Sequence, residues 1–77
     1  MFFKENLRYL RRKYHISQNE LADQFGYKSF TTIQKWEDGT SMPKMSVLQR
    51  LADFFNLSIV KLINEDLTCQ EGSGERI

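Results

Sequence analysis

The chain has 77 residues, 40% of them hydrophobic and 27% charged. That length allows one domain and excludes a Rossmann sheet, a barrel, or a core that also surrounds a deep catalytic cleft. Six Phe, three Tyr and one Trp exclude a disordered chain, while the formal net charge of +1, taken whole, argues weakly against a nucleic-acid partner.

The single cysteine, Cys69, excludes an internal disulfide and points to the cytoplasm rather than to a secreted mini-protein. Met1-Phe2-Phe3 is followed at once by Lys4-Glu5, which is not the order of a signal peptide. No apolar run approaches the roughly 18 residues of a membrane span. The expected organisation is a domain over residues 1–66 and a tail or linker start over 67–77, where Gly, Ser and Glu accumulate without apolar period.

From Phe3 to Glu65 the apolar residues recur at three- and four-residue spacing, which predicts helices and no strand. Phe3, Leu7, Leu10 and Tyr14 form one stripe of a first helix over 3–14, and Lys4, Arg8, Arg12 and Lys13 occupy its other face. The chain must turn at His15. Ser17 stands three residues before Glu20, a capping box that opens a second helix over 18–25. Ile16 can staple onto Leu21, and Gly26 supplies the left-handed residue that ends the helix. Ser29 is the expected cap of a third helix over 30–38, with Ile33 and Trp36 inward and Gly39 as its stop. After the loop Thr40-Ser41-Met42-Pro43, a fourth helix over 45–55 buries Val47, Leu48, Leu51, Ala52 and Phe55, and Asn56 closes it. Ser58 caps a fifth helix over 59–64. The fold class is all-α, with five helices.

The second and third helices are short, are joined by a glycine turn, and carry the small Ala22 where they cross. This is the build of a helix-turn-helix, whose second helix enters the DNA major groove. Ser17-Gln18-Asn19-Glu20-Leu21-Ala22 resembles the SQxELA signature of the Cro/repressor (XRE-type) helix-turn-helix family. Ile33-Gln34-Lys35-Trp36-Glu37-Asp38-Gly39 resembles its IxxWExG block, and Pro43, Leu48-Gln49-Arg50-Leu51-Ala52 and Leu57-Ser58 its continuation. The resemblance spans about residues 4–64 and implies a lambda-repressor-like DNA-binding domain. Three departures stand out: one extra residue in the turn at Tyr27-Lys28-Ser29, His15 where the family commonly has Gly, and Lys44 where it prefers a Ser or Thr cap.

At about 100° per residue, Ile33, Trp36 and Glu37 share one side of the third helix, and Thr31 and Lys35 point away from it. With the family's docking, the resemblance makes Phe30, Thr31, Gln34 and Lys35 the base-contact candidates. Lys35 can donate to guanine, Gln34 can pair with adenine, and Phe30 and Thr31 can touch a thymine methyl. For Phe30, packing against Tyr27 or the second helix stands as an equal alternative. Phosphate-contact candidates are Gln18, Lys28, Thr40, Ser41 and Lys44, with Tyr27 and Asn19 weaker. The resemblance further implies an ion pair between Arg11 and Glu37 that ties the first helix to the third.

His15 and Cys69 lack a second ligand at useful spacing, so neither a metal nor a cofactor is expected, and no nucleophile is placed with a base. The partner expected is double-stranded DNA, bound by a homodimer on a palindromic operator, with no membrane or small-molecule substrate. Leu57, Val60, Ile63, Leu67 and Phe54 are candidates for the dimer surface, with simple core packing as the alternative. The functional expectation is a transcriptional repressor of phage or mobile-element type. Open alternatives are an antitoxin, a restriction–modification controller, or a protein-interaction module that lost DNA binding. Charge distribution sharpens the net value: residues 1–50 hold nine Lys+Arg and five Asp+Glu, or +4, and residues 51–77 hold two and five, or −3.

Overall fold

The computed structural model describes residues 1–68. Cys69 and most of the expected tail lie outside them. Among the described residues the elements are α1 (Phe3–Lys13), α2 (Gln18–Gln24), α3 (Thr31–Asp38), α4 (Met45–Phe54) and α5 (Ile59–Asn64), with no strand.

Local hydrogen bonding explains where the helices begin. Ser17 Oγ accepts the Glu20 amide at 3.0 Å and the Glu20 carboxylate accepts the Ser17 amide at 2.8 Å, a reciprocal box that satisfies two donors at the head of α2. Ser58 Oγ accepts the Lys61 amide at 3.1 Å and opens α5. Ser29 Oγ accepts the Thr31 amide at 3.1 Å, yet the cap of α3 is Phe30, one residue later than expected. The Phe30 carbonyl already accepts the Gln34 amide at 3.0 Å, so the helical ladder starts there. Lys44 caps α4 with extended backbone and no side-chain bond.

One device ends four of the helices. His15 (φ 58°), Gly26 (φ 82°) and Asn56 (φ 59°) are left-handed. The next amide reaches back five residues in each case: Ile16 to the Arg11 carbonyl at 2.8 Å, Tyr27 to Ala22 at 2.9 Å and Leu57 to Ala52 at 2.8 Å. Because these closures draw in the residue before the left-handed one as a cap, α1, α2 and α4 each stop one residue short of the expected ends at 14, 25 and 55. Gly39 (φ 84°) ends α3, with the Thr40 amide on the Lys35 carbonyl at 3.0 Å.

The core takes Phe3, Leu7 and Leu10 from α1, Leu21 and Ala22 from α2, Ile33 and Trp36 from α3, and Leu48, Leu51 and Ala52 from α4. Phe25, Phe55 and Leu62 complete it, together with Leu67, which is 8% exposed. Leu67, the first residue of the expected tail, thus packs into the core. The reason is Asn6, fully buried on the apolar side of α1: its Nδ2 donates to the carbonyls of Leu62 at 2.8 Å and Glu65 at 2.6 Å, and its Oδ1 accepts the Leu67 amide at 3.1 Å. α1 packs against α3 and α5, and α2 packs against α3. Trp36 is gripped edge-on by Phe3 (6.5 Å between centroids) and by Tyr27 (5.6 Å), so the longer turn still docks α3, with Ile33 wholly buried.

Of the apolar residues near the end of the described chain, Leu67 is in the core and Leu57 and Ile63 are half-buried against it. Val60 and Phe54 remain exposed, and Val47, expected inside, is half-buried.

Candidate nucleic-acid interface

The inner side of α3 carries a carboxylate. Glu37 is 4% exposed, beside Ile33 and Trp36 on the buried face. A buried carboxylate without partners is costly, and here every partner comes from another helix. Arg11 of α1 donates from Nε to Oε2 at 2.6 Å and from Nη2 to Oε1 at 3.1 Å, a two-pronged grip that also fixes direction. Its Nη1 donates to the Ile16 carbonyl at 3.0 Å, beside the closing turn of α1. Gln18, the first residue of α2, donates from Nε2 to Glu37 Oε1 at 3.1 Å. Three helices thus meet on one side chain. Arg8 approaches the same oxygen at 3.7 Å, beyond hydrogen-bond length.

With its inner side held, α3 turns Thr31, Gln34 and Lys35 to solvent, and Thr32 is half-buried at the margin. Phe30 is 40% exposed at the head of the helix and borders a groove with Asn19, Asp23, Tyr27 and Lys28. The Thr31 and Ser29 hydroxyls lie 2.8 Å apart in a shared hydrogen bond. Lys28, Thr40, Ser41 and Lys44, in the segments before and after α3, are exposed, whereas Gln18 is half-buried and bonded to Glu37. Tyr27 is half-buried through its packing on Trp36.

The loop after α3 is held from within. The Thr40 amide donates to Asp38 Oδ1 at 2.8 Å as well as to the Lys35 carbonyl. The Thr40 side chain and then its backbone amide, with Lys35 and Lys4 nearby, hold the Asp38 carboxyl below the usual carboxylate range. Lys4 lies over Gly39, where a Cβ would come within 3.3 Å of its Cδ, so glycine serves both the left-handed backbone and the close approach.

Two residues at these junctions escape periodicity arguments. Asn6 had one available signal, a polar residue on the stripe of Phe3, Leu7 and Leu10. Arg8 had none, since it reads as one more cation on the outer face of α1. Among the described residues no group of three or more His, Cys, Asp or Glu is placed to hold a metal, and no helix is long and apolar enough to cross a membrane.

A short helix held against the domain by its predecessor, with one polar side facing outward, defines a helix-turn-helix domain. The chain belongs to the helix-turn-helix family, whose profile matches residues 7–62. It is 39% identical over 64 residues to the transcriptional activator BcrR of Enterococcus faecalis, covering 83% of this chain and 31% of that protein. It is 36% identical over 62 residues to RstR of Vibrio cholerae serotype O1, a cryptic phage CTXphi transcriptional repressor, covering 80% of this chain and 54% of that protein. A putative transcriptional regulatory protein of Pyrococcus furiosus is 40% identical over 60 residues, covering 78% of this chain and 19% of that protein. The chain spans less than two thirds of the length of each of these relatives. No solved structure gives a significant match.

Proposed function

We propose that this protein is a sequence-specific DNA-binding transcriptional regulator that inserts α3 into the major groove. The observation that carries the reading is the division of α3 into two sides. Glu37 is locked inside by Arg11 and Gln18, and Thr31, Gln34 and Lys35 face out without any apolar neighbour of their own helix among them. Lys35 offers a donor for guanine O6 and N7, Gln34 a donor–acceptor pair for adenine, and Phe30 and Thr31 apolar groups for a thymine methyl. Gln18 at the head of α2, and Lys28, Thr40, Ser41 and Lys44 in the segments before and after α3, would hold phosphates.

Repression of a phage or mobile-element operon is the favoured biological role, supported by the likeness to RstR. Activation is the second reading, favoured by the likeness to BcrR. The protein would act as a cytoplasmic homodimer on a palindromic operator, with half-sites one turn of DNA apart, and without enzymatic activity. Exposed Val60 and Phe54 are what remain of the expected dimer surface.

Selection of sites from a random DNA pool, followed by fluorescence-anisotropy titration at two salt concentrations, tests the proposal. The expected result is a palindromic consensus bound in the nanomolar range and at least about a thousandfold more tightly than random DNA. Equal affinity for both would end the sequence-specific reading.

A further inference from the structure

We infer that Arg8, on the flank of α1 beside α3, is a further phosphodiester-binding residue of the DNA interface. The inference rests on the DNA-binding reading above and adds a contact from outside the helix-turn-helix.

The argument begins with hydrogen-bond supply and demand at Glu37. Its Oε2 accepts Arg11 Nε at 2.6 Å, and its Oε1 accepts both Arg11 Nη2 and Gln18 Nε2 at 3.1 Å. The carboxylate is satisfied without Arg8, and its single negative charge is already matched by Arg11. Arg8 Nε stands at 3.7 Å from Oε1, near enough to feel the charge and too far to bond to it. Its side chain is 50% exposed, against 13% for Arg11. Among the described residues Glu37 is the carboxylate that stands within 4 Å of it. Around Glu37 there is thus one cation more than the site uses, and that cation faces water.

The placement makes the surplus useful. Arg8 Nε and Gln18 Nε2 approach the same oxygen of Glu37, so Arg8 lies beside the residue that leads α2 and next to the inner edge of α3. Two other cations of α1, Lys4 and Lys13, have neighbours of their own. Lys4 lies over Gly39 and has Asp38 as its acidic neighbour. Lys13 has its ammonium 5.8 Å from the Tyr9 and Tyr14 ring centroids. A guanidinium that is weakly held, half-exposed and adjacent to a groove-facing helix matches the fork geometry of a phosphate. Binding would swing Arg8 away from Glu37, which keeps its bonds to Arg11 and Gln18.

The test is the salt dependence of binding to the selected site, measured by anisotropy from 50 to 300 mM KCl for the wild type, Arg8→Gln, Arg8→Lys and Lys13→Gln. Each phosphate contact contributes about 0.9 to the slope of log K against log salt. Arg8→Gln should lower that slope by about one and weaken binding about five- to tenfold at 100 mM salt, equally for every sequence. Arg8→Lys should restore most of the slope, and Lys13→Gln should leave it unchanged. Urea midpoints should stay close to the wild type for all three, which separates a contact from a fold defect. A wild-type slope retained by Arg8→Gln overturns the inference and leaves the DNA-binding reading standing, as does an equal loss in Lys13→Gln. Absence of wild-type binding overturns both.

Discussion

Replacing Arg11 with methionine removes the two bonds to Glu37 and the bond to the Ile16 carbonyl in one step. Glu37 would keep only Gln18 and the distant Arg8 while remaining inside the domain. Breaking a buried pair in this way costs about 3–5 kcal/mol, because a charge is left in low dielectric without its counter-ion. A domain of this size is held by about 4–12 kcal/mol in total. The variant should therefore lose a quarter or more of its stability. With a urea slope of about 1 kcal/mol per molar for so small a protein, the midpoint should fall by about 3 M or more. The double variant Arg11→Met/Glu37→Leu leaves no charge buried and should recover most of the loss. It should nevertheless bind DNA more weakly than the wild type, since Gln18 no longer has an acceptor to position it. An Arg11→Met cost below about 1 kcal/mol, typical of an exposed pair, would refute this account. A double variant no more stable than the single one would do so as well.

Three other outcomes are expected. His15 sits at φ 58°, where a Cβ costs about 1–2 kcal/mol. His15→Gly should raise stability in a urea melt by about 0.5–1 kcal/mol once glycine's extra freedom in the unfolded chain is subtracted. Asp38 has its carboxyl held low by the Thr40 hydroxyl and amide, so its contribution is present above the unfolded value and is lost as pH falls through the folded one. Thermal midpoints recorded from pH 7 to 2 should therefore drop less steeply below about pH 4 in Asp38→Asn than in the wild type. Lys35→Ala should relax selection at one operator position, by about 1–3 kcal/mol of discrimination, while Lys44→Ala should weaken all sequences alike in the same titrations.

What was legible from the sequence is what local physics controls. A capping box reads over three residues, and a helix closure over five. Thus Ser17 with Glu20, Gly26, Gly39 and Asn56 marked their turns without any knowledge of the fold. Only the assignment of each half-in residue slipped, at Tyr14, Phe25, Phe30 and Phe55. The inward side of α3 was legible for the same reason, since 100° per residue puts Ile33, Trp36 and Glu37 together wherever the helix lies.

The partners of the buried polar groups were decided by tertiary structure. Glu37 is 26 residues from Arg11 and 19 from Gln18, and Asn6 is 56 to 61 residues from the groups it binds. Periodicity states which way a side chain points from its own helix axis and is silent on which helix stands opposite. The Arg11–Glu37 pair was foreseen through family resemblance alone, and the Asn6 clamp and the surplus Arg8 were not foreseen at all. The net charge of +1 divides in the same way. Its separation into a basic first part and an acidic last part is written in the sequence. That Arg8, one of the cations of α1, stands 3.7 Å from Glu37 on the inner edge of α3 follows only from how α1, α2 and α3 meet on that side chain.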